Sequence, residues 1–282
     1  NDSVPNFLFQ NNGDGTFFEM GLLAGVSFNE DGREQAGMGV DFSDFDNDAD
    51  LDLAVTNFSD DHNTLYMNEG QGHFVDVTYR AGLGDPSWQR LGWGVAFADL
   101  DLDGWKDLVI VNGHVYPEVD NYEIGTAFKQ PTFVFRNLGN GEFREVTKQA
   151  GSGFSEVKNS RALLTGDVNN DGRIDLLITN LDEEPSLLLN TAKSKGNWLI
   201  LKLVGTKSNR NAIGAKVVAE TNGLRQVRVV KGGGGYQSQS DFRLHFGLGI
   251  HATVEKLSIR WPTGKNQILE NVPAGQILTI ED

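Results

Sequence analysis

The sequence predicts an all-β chain: a partial β-propeller of four-stranded blades followed by a small antiparallel β-sandwich. Three observations carry that reading. A nine-residue aspartate loop recurs three times in register between short apolar runs. Thirty-four glycines against three methionines indicate many tight turns, and few segments show helical periodicity. The charge also changes sign near residue 192, with 33 acids and 11 bases before it and 6 acids and 13 bases after it.

The repeat defines the elements in order. Gly39-Val40-Asp41-Phe42-Ser43 aligns with Gly94-Val95-Ala96-Phe97-Ala98 and with Ala162-Leu163-Leu164-Thr165-Gly166, each running into an aspartate loop at 44–52, 99–107 or 167–175. An apolar run follows each loop (51–57, 107–112, 174–180), and then a strand ending in asparagine (Asn68, Asn137, Asn190). Two copies continue through a Gly-x-Gly turn, at Gly70–Gly72 and Gly139–Gly141, into a fourth strand. Residues 7–19 match only this second half, so the first blade is incomplete. Four-stranded units at periods of 55 and 68 residues suit propeller blades, which protect their edges by radial packing, better than a solenoid of meanders.

The longer period carries a 13-residue surplus within residues 112–131. A connection of that length is either functional or a cap on the blade. His114, Tyr116, Glu118 and Tyr122 are its candidate partner-binding residues, with Phe128 beside them, and capping is the favoured role. Trp88 and Trp93, between the two full repeats, are expected to fill wedges between neighbouring blades.

Each loop places oxygen-bearing side chains at positions 1, 3, 5 and 9. A short loop of alternating carboxylates repels itself unless a hard cation sits inside it, and Ca²⁺ takes six to eight oxygens. The candidate ligands are Asp44, Asp46, Asp48, Asp50 and Asp52; Asp99, Asp101, Asp103, Trp105 and Asp107; and Asp167, Asn169, Asp171, Arg173 and Asp175. Asp50, Trp105 and Arg173 enter through the backbone carbonyl of position 7. An EF-hand is excluded, because position 12 is Val55, Ile110 or Ile178 rather than glutamate and the flanks are strand-like. Position 6 calls for positive φ, which Gly104 and Gly172 supply freely and Ala49 only under strain. With four carboxylates and Gly104, the 99–107 loop is expected to bind best; Asn169 offers a neutral oxygen in the third.

These loops, preceded by Gly-Val-x-Phe and followed by Asp-Leu-x-Val-x-Asn, resemble the FG-GAP/VCBS repeats of integrin-α-type propellers over about residues 1–192. The resemblance implies about three structural Ca²⁺ sites. Known members have longer propellers, so the chain reads as a C-terminal portion, and Asn1 as the start of a processed or trimmed chain.

From residue 193 the pattern becomes alternating strands without aspartate loops, at Asn197–Val204, Asn211–Val218, Arg225–Val230, Leu257–Trp261 and Gln276–Ile280. Gly232–Gly235 is no phosphate loop, since neither Lys-Ser/Thr nor a helix start follows it; it is expected to allow close backbone packing. Asn211-Ala-Ile-Gly-Ala, Gly235-Tyr-Gln-Ser-Gln, His245-Phe-Gly-Leu-Gly249 and Arg260-Trp-Pro-Thr-Gly264 closely resemble the ASPIC/UnbV domain. That domain commonly follows FG-GAP-type repeats in cartilage acidic proteins and secreted bacterial proteins. The resemblance implies a secreted, periplasmic or cell-surface protein and no defined reaction.

The residues themselves narrow the function further. Net charge is −22 over 1–192 and +7 over 193–282, which argues against nucleic acid as partner of the acidic part. No 18-residue apolar run could span a bilayer as a helix, and zero cysteines exclude disulfides and thiolate chemistry. None of the five histidines sits in a nucleophile or zinc motif; His245, within a strand, reads as structural, and His114 is the best catalytic outsider. The expectation is a non-catalytic, calcium-stabilised binding, adhesion or scaffold protein with an unknown protein or glycan partner. The alternatives are a carbohydrate-binding or carbohydrate-active propeller using the 113–131 loop, and an accessory subunit whose ring is completed by missing upstream blades or another chain. The basic sandwich has three candidate docking partners: its own acidic propeller, an acidic glycan or an anionic surface.

Overall fold

The computed structural model describes residues 2–194 and 196–282. An N-terminal hairpin of β1 (Phe9–Asn11) and β2 (Phe17–Glu19) precedes two four-stranded antiparallel meanders. The first contains β3 (Gly37–Ser43), β4 (Asp52–Asn57), β5 (Thr64–Asn68) and β6 (Phe74–Asp76). The second contains β7 (Gly92–Ala98), β8 (Asp107–Asn112), β9 (Phe133–Asn137) and β10 (Phe143–Glu145). A third unit has three strands, β11 (Ser160–Gly166), β12 (Asp175–Asn180) and β13 (Glu183–Leu188). An aspartate loop joins the first two strands of every unit, as the repeat predicts.

The units stack as blades. First strands of consecutive blades lie side by side, β3 against β7 and β7 against β11. The glycine opening each Gly-Val-x-Phe segment permits that approach: a Cβ on Gly39 would meet Trp93 O at 2.0 Å, and one on Gly94 would meet Leu163 N at 2.6 Å. Strand β8 shows why the runs after the loops are continuously apolar. Leu108 and Ile110 pack into the core shared with the first blade, while Val109 and Val111 pack with Leu163, Leu176 and Ile178 of the third. Both faces of the strand are buried, so its sequence does not alternate. At the two ends of the stack the apolar faces stay open, with Phe9, Phe17 and Phe18 exposed at one end and Leu177, Leu187 and Leu189 at the other.

The C-terminal unit is a two-sheet sandwich of β14 (Asn197–Val204), β15 (Lys216–Thr221), β16 (Leu224–Val229), β17 (Leu244–Gly249), β18 (Thr253–Arg260), β19 (Asn266–Pro273) and β20 (Gln276–Glu281). One sheet has the order β17-β14-β20 and the other β16-β15-β18-β19. Leu199, Leu201, Phe246, Leu257, Ile259 and Trp261 fill the space between them. Antiparallel pairing throughout was expected, but β20 runs parallel to β14. The chain crosses to the other sheet through β18 and β19 and returns to the free edge of β14 in the same direction, which needs a crossover rather than a hairpin.

This basic sandwich docks on the acidic blades of its own chain. Val40 and Gly235 exchange backbone hydrogen bonds at 3.2 and 2.7 Å, so the glycine tract does provide close backbone packing. Lys231 pairs with Asp41, and Arg243 Nη2 donates to Asp167 O at 2.6 Å. Between the inner strands and the sandwich lies a cavity of about 110 Å³, into which the eighth residue of each loop, Leu51, Lys106 and Ile174, projects.

Candidate metal centres

Two left-handed residues shape every loop. Position 6 has φ of 85° at Ala49, 94° at Gly104 and 87° at Gly172, so the strain expected at Ala49 is present. Position 4 is also left-handed, with φ of 60° at Asn47, 64° at Leu102 and 59° at Asn170, which the composition does not announce. Asparagine visits this region readily, whereas leucine does not. Leu102 is held there by tertiary contact: it is 3 % exposed, its carbonyl accepts the Gly249 N–H at 2.8 Å, and Gly196 and Gly247 pack against it.

The curl turns side chains 1, 3 and 5 inward. One oxygen each from Asp44, Asp46 and Asp48 lie within 4.8 Å of one another, and so do oxygens from Asp99, Asp101 and Asp103. Both Asp44 oxygens are buried without a well-formed hydrogen bond, as are Oδ1 of Asp101 and Oδ1 of Asn47. Burial raises the Asp44 carboxyl to about 6, even though Arg228 and the Ala49 amide favour its charged form. Asp99 accepts N–H bonds from Asp103 at 3.1 Å and Gly104 at 2.9 Å, yet burial still raises it to about 7, with Lys106 opposing the shift. Orphaned buried oxygens with no nitrogen or sulfur among the donors fit a hard cation such as Ca²⁺.

In the third loop Asp167 accepts the Asp171 and Gly172 amides at 3.1 and 2.8 Å, as Asp99 does in the second, but position 5 differs. Asp171 Oδ2 is already engaged by Arg173 Nη2 at 2.5 Å and by Asn169 Nδ2 at 2.9 Å. A guanidinium thus already pairs with one oxygen of the position-5 carboxylate. In the second loop Arg136, itself half-exposed, places Nη2 2.7 Å from Asp101 Oδ2 and 3.4 Å from Asp103 Oδ2, while Asp101 Oδ1 stays without a partner.

Position 9 straps each loop to its blade. Asp52, Asp107 and Asp175 each accept the position-2 amide (Phe45, Leu100 or Val168, all at 3.0 Å) and the backbone amide of an asparagine at the end of the third strand (Asn68 at 2.9 Å, Asn137 at 2.9 Å) or two residues past it (Asn190 at 2.8 Å). Burial raises Asp52 to about 8 and lifts Asp107 well above the carboxylate range. Position 7 donates its amide to position 5, from Asp50, Trp105 and Arg173 at 2.8, 2.9 and 2.9 Å.

The 113–131 insertion divides into a buried base and an exposed rim. His114 is buried, whereas Tyr116 and Tyr122 are 61 % and 65 % exposed and Glu118 is exposed. The base caps the third blade: Asn159 Nδ2 donates to His114 O at 3.0 Å and Gln130 N to Lys158 O at 2.9 Å. Trp93 fills its wedge, with Arg161 over its ring at 4.4 Å and its indole N–H on Gly113 O at 2.7 Å. Trp88 stands beside His62, ring centroids 6.5 Å apart.

His114 Nε2 lies 3.3 Å from Ser59 Oγ, the outline of a nucleophile and base. The tautomer is wrong for it. Nδ1 accepts the Tyr116 N–H at 3.1 Å, so neutral His114 carries its proton on Nε2 and donates to Ser59. It cannot take the serine proton, and burial lowers its pKa further from a charged form. His245 is structural in the same sense, its Nε2 lying 2.9 Å from Gly172 O.

Oxygen-rich loops on meander blades, capped by a docked sandwich, define a class of blade-repeat proteins. The FG-GAP-like repeat family matches residues 44–110 and 124–178, and the ASPIC and UnbV family matches residues 205–282. The chain thus carries FG-GAP-like repeats followed by an ASPIC/UnbV domain, and it is homologous to cartilage acidic protein 1. It is 30 % identical to that protein of Xenopus tropicalis over 288 residues, covering 100 % of this chain and 41 % of the relative. With the Homo sapiens protein it shares 28 % over 287 residues, covering 99 % and 40 %. The chain therefore spans about two fifths of the length of these relatives. Among solved structures it is similar to an Agrocybe aegerita lectin that recognises non-reducing terminal N-acetylglucosamine, at 16 % identity and TM-score 0.35, covering 95 % of this chain and 75 % of that one. A likeness that loose says nothing about ligands. No helix among the described residues is long and apolar enough to cross a membrane.

Proposed function

We propose that this chain is a non-catalytic, calcium-stabilised scaffold or adhesion module acting outside the cytoplasm. The observation that carries the reading is Asp44, a carboxylate whose two oxygens are both buried without a well-formed hydrogen bond, beside Asp46 and Asp48. An ionised carboxylate in that setting is costly unless a cation pairs with it. The 44–52 and 99–107 loops are the principal sites, and 167–175 is the weakest because Arg173 already neutralises Asp171. The homology to cartilage acidic protein 1 supports an extracellular setting, and the exposed apolar faces at both ends of the blade stack suit further blades or a second chain. Calcium titration calorimetry and thermal unfolding in calcium against chelator test the reading. Binding to the folded state alone adds about 2.7 kcal/mol per site at 100 Kd. No heat and no shift in melting temperature would overturn it.

A second reading has one specific support, the exposed rings of Tyr116 and Tyr122 on the insertion. Such rings offer stacking faces to a glycan. Glycan-array binding lost in Tyr116→Ala or Tyr122→Ala favours that role, and a protein partner captured without any glycan signal favours the scaffold.

A further inference from the structure

The C-terminal sandwich does not meet the blades at random. It touches the sixth residue of all three loops. Lys216 Nζ donates to Ala49 O at 3.3 Å. Leu224 and the Gly247 carbonyl crowd Gly104 so closely that a Cβ there would lie 2.6 Å from the leucine Cδ2 and 3.3 Å from the carbonyl oxygen. Trp198 covers Gly172, where a Cβ would lie 1.9 Å from the indole, and His245 bonds Gly172 O from the other side. These residues hold the left-handed backbone that curls the loops, so the docking face is complementary to the curled form.

The second loop is covered most fully. A Cβ on Gly247 would lie 2.0 Å from Asp99 Oδ2, so β17 passes directly over the first ligand position. Gly249 donates to Leu102 O at 2.8 Å, and Ser194 Oγ donates to Asp101 O at 2.5 Å. Arg228 is buried over the blades and is drawn to both Asp99 and Asp44. Three carboxylates around one divalent ion leave a loop with net charge −1, so Arg228 remains favourably placed when the cation is bound. Without the ion, carboxylates with oxygens within 4.8 Å of one another repel, which works against the curled form.

We propose that the ASPIC/UnbV domain is a lid that docks on the cation-loaded aspartate loops, chiefly 99–107, so that calcium occupancy and domain docking are thermodynamically coupled. The proposal rests on the calcium reading above. Coupling is reciprocal: whatever factor calcium adds to docking, docking adds to calcium affinity. Release of the ion from 99–107 then requires the sandwich to lift.

The full chain, which contains no cysteine, takes a spin-label pair at Ser152→Cys on the third blade and Lys265→Cys on the sandwich, both exposed. In calcium one short, narrow distance distribution is expected, and in chelator a longer, broader one. Lys231→Met, which removes the interface pair with Asp41 and bonds none of the loop ligands, should broaden the distribution even in calcium. It should also weaken calorimetric calcium affinity at the tightest site by about 5- to 150-fold. Calcium that binds with no change in distance, together with unaltered affinity in Lys231→Met, overturns the coupling and leaves the calcium reading standing. Absence of calcium binding overturns both. Should chelation melt the blades by circular dichroism, the affinity of folded, calcium-loaded Lys231→Met decides alone: a loss supports the lid and an unchanged value sinks it.

Discussion

Asn137 Nδ2 donates to Phe45 O at 2.8 Å, clipping the third strand of one blade to the aspartate loop of the blade before it. The same amide donates to Lys106 O at 3.0 Å in its own loop. Asn190 repeats the clip on Leu100 O at 2.8 Å, whereas Asn68 reaches only its own loop, at Leu51 O. Asn137→Ala would strand two carbonyls, one of them between blades, and should cost about 1–3 kcal/mol in urea unfolding. Asn190→Ala should follow it, and Asn68→Ala should cost less. Equal losses at all three would refute an inter-blade role.

Ala49 occupies a backbone conformation, φ 85°, that costs an L-residue about 1–2 kcal/mol. Ala49→Gly relieves that strain at about 0.5–1 kcal/mol of added unfolded-state entropy. A net gain of about 0.5–1 kcal/mol and tighter calcium binding at 44–52 are expected by melting and calorimetry. Gly172→Ala is the counter-case. Its Cβ would meet both the left-handed backbone penalty and the Trp198 ring at 1.9 Å, and a loss of about 2–4 kcal/mol is expected.

Arg173 pairs with Asp171 in the third loop, where it would compete with a bound cation. Its ion pair with Asp171 is partly exposed, so removing it should cost no more than about 1 kcal/mol. Arg173→Ala frees Asp171 of the guanidinium, leaving the Asn169 amide on Oδ2, and should raise the calcium affinity of the weakest site several-fold. An unchanged weakest site in a calorimetric titration would show that Arg173 does not compete with the ion.

The blades and loops were legible in the sequence because the repeat copies the same physical constraint three times. Gly39 and Gly94 mark a close strand approach, and the apolar run of β8 marks burial on both faces. The left-handed backbone at Leu102 was not legible, since nothing in the residue favours it and only contacts from Gly196, Gly247 and Gly249 hold it. Arg228 was equally hidden. It lies in an ordinary alternating strand, and its burial over Asp99 and Asp44 follows from how the two domains meet, not from local pattern. The asparagines were visible as strand ends, but their inter-blade bonds span about ninety residues of chain. Strand β19 and the parallel pairing of β20 went unread because exposed polar positions such as Asn266 and Glu270 interrupt the apolar alternation.

His245 supplies a pH dependence whose sign is fixed by its surroundings. Burial lowers its pKa from 6.5 to about 3, with Lys106 and Arg228 adding repulsion and the bond to Gly172 O opposing it. The folded chain therefore holds the imidazole neutral while the unfolded chain protonates near 6.5. The stability this contributes is full above pH 6.5 and is lost progressively as pH falls toward 3, with a slope approaching about 1.4 kcal/mol per pH unit. His245→Gln keeps a side-chain amide that can donate to Gly172 O but cannot titrate. Between pH 7.5 and 5, at saturating calcium, the native chain should lose about 2 kcal/mol more than His245→Gln in denaturant unfolding. Carboxylates titrate in both proteins and cancel in the difference. Parallel stability curves for the two would mean that His245 is not held neutral in the interface between the sandwich and the third loop.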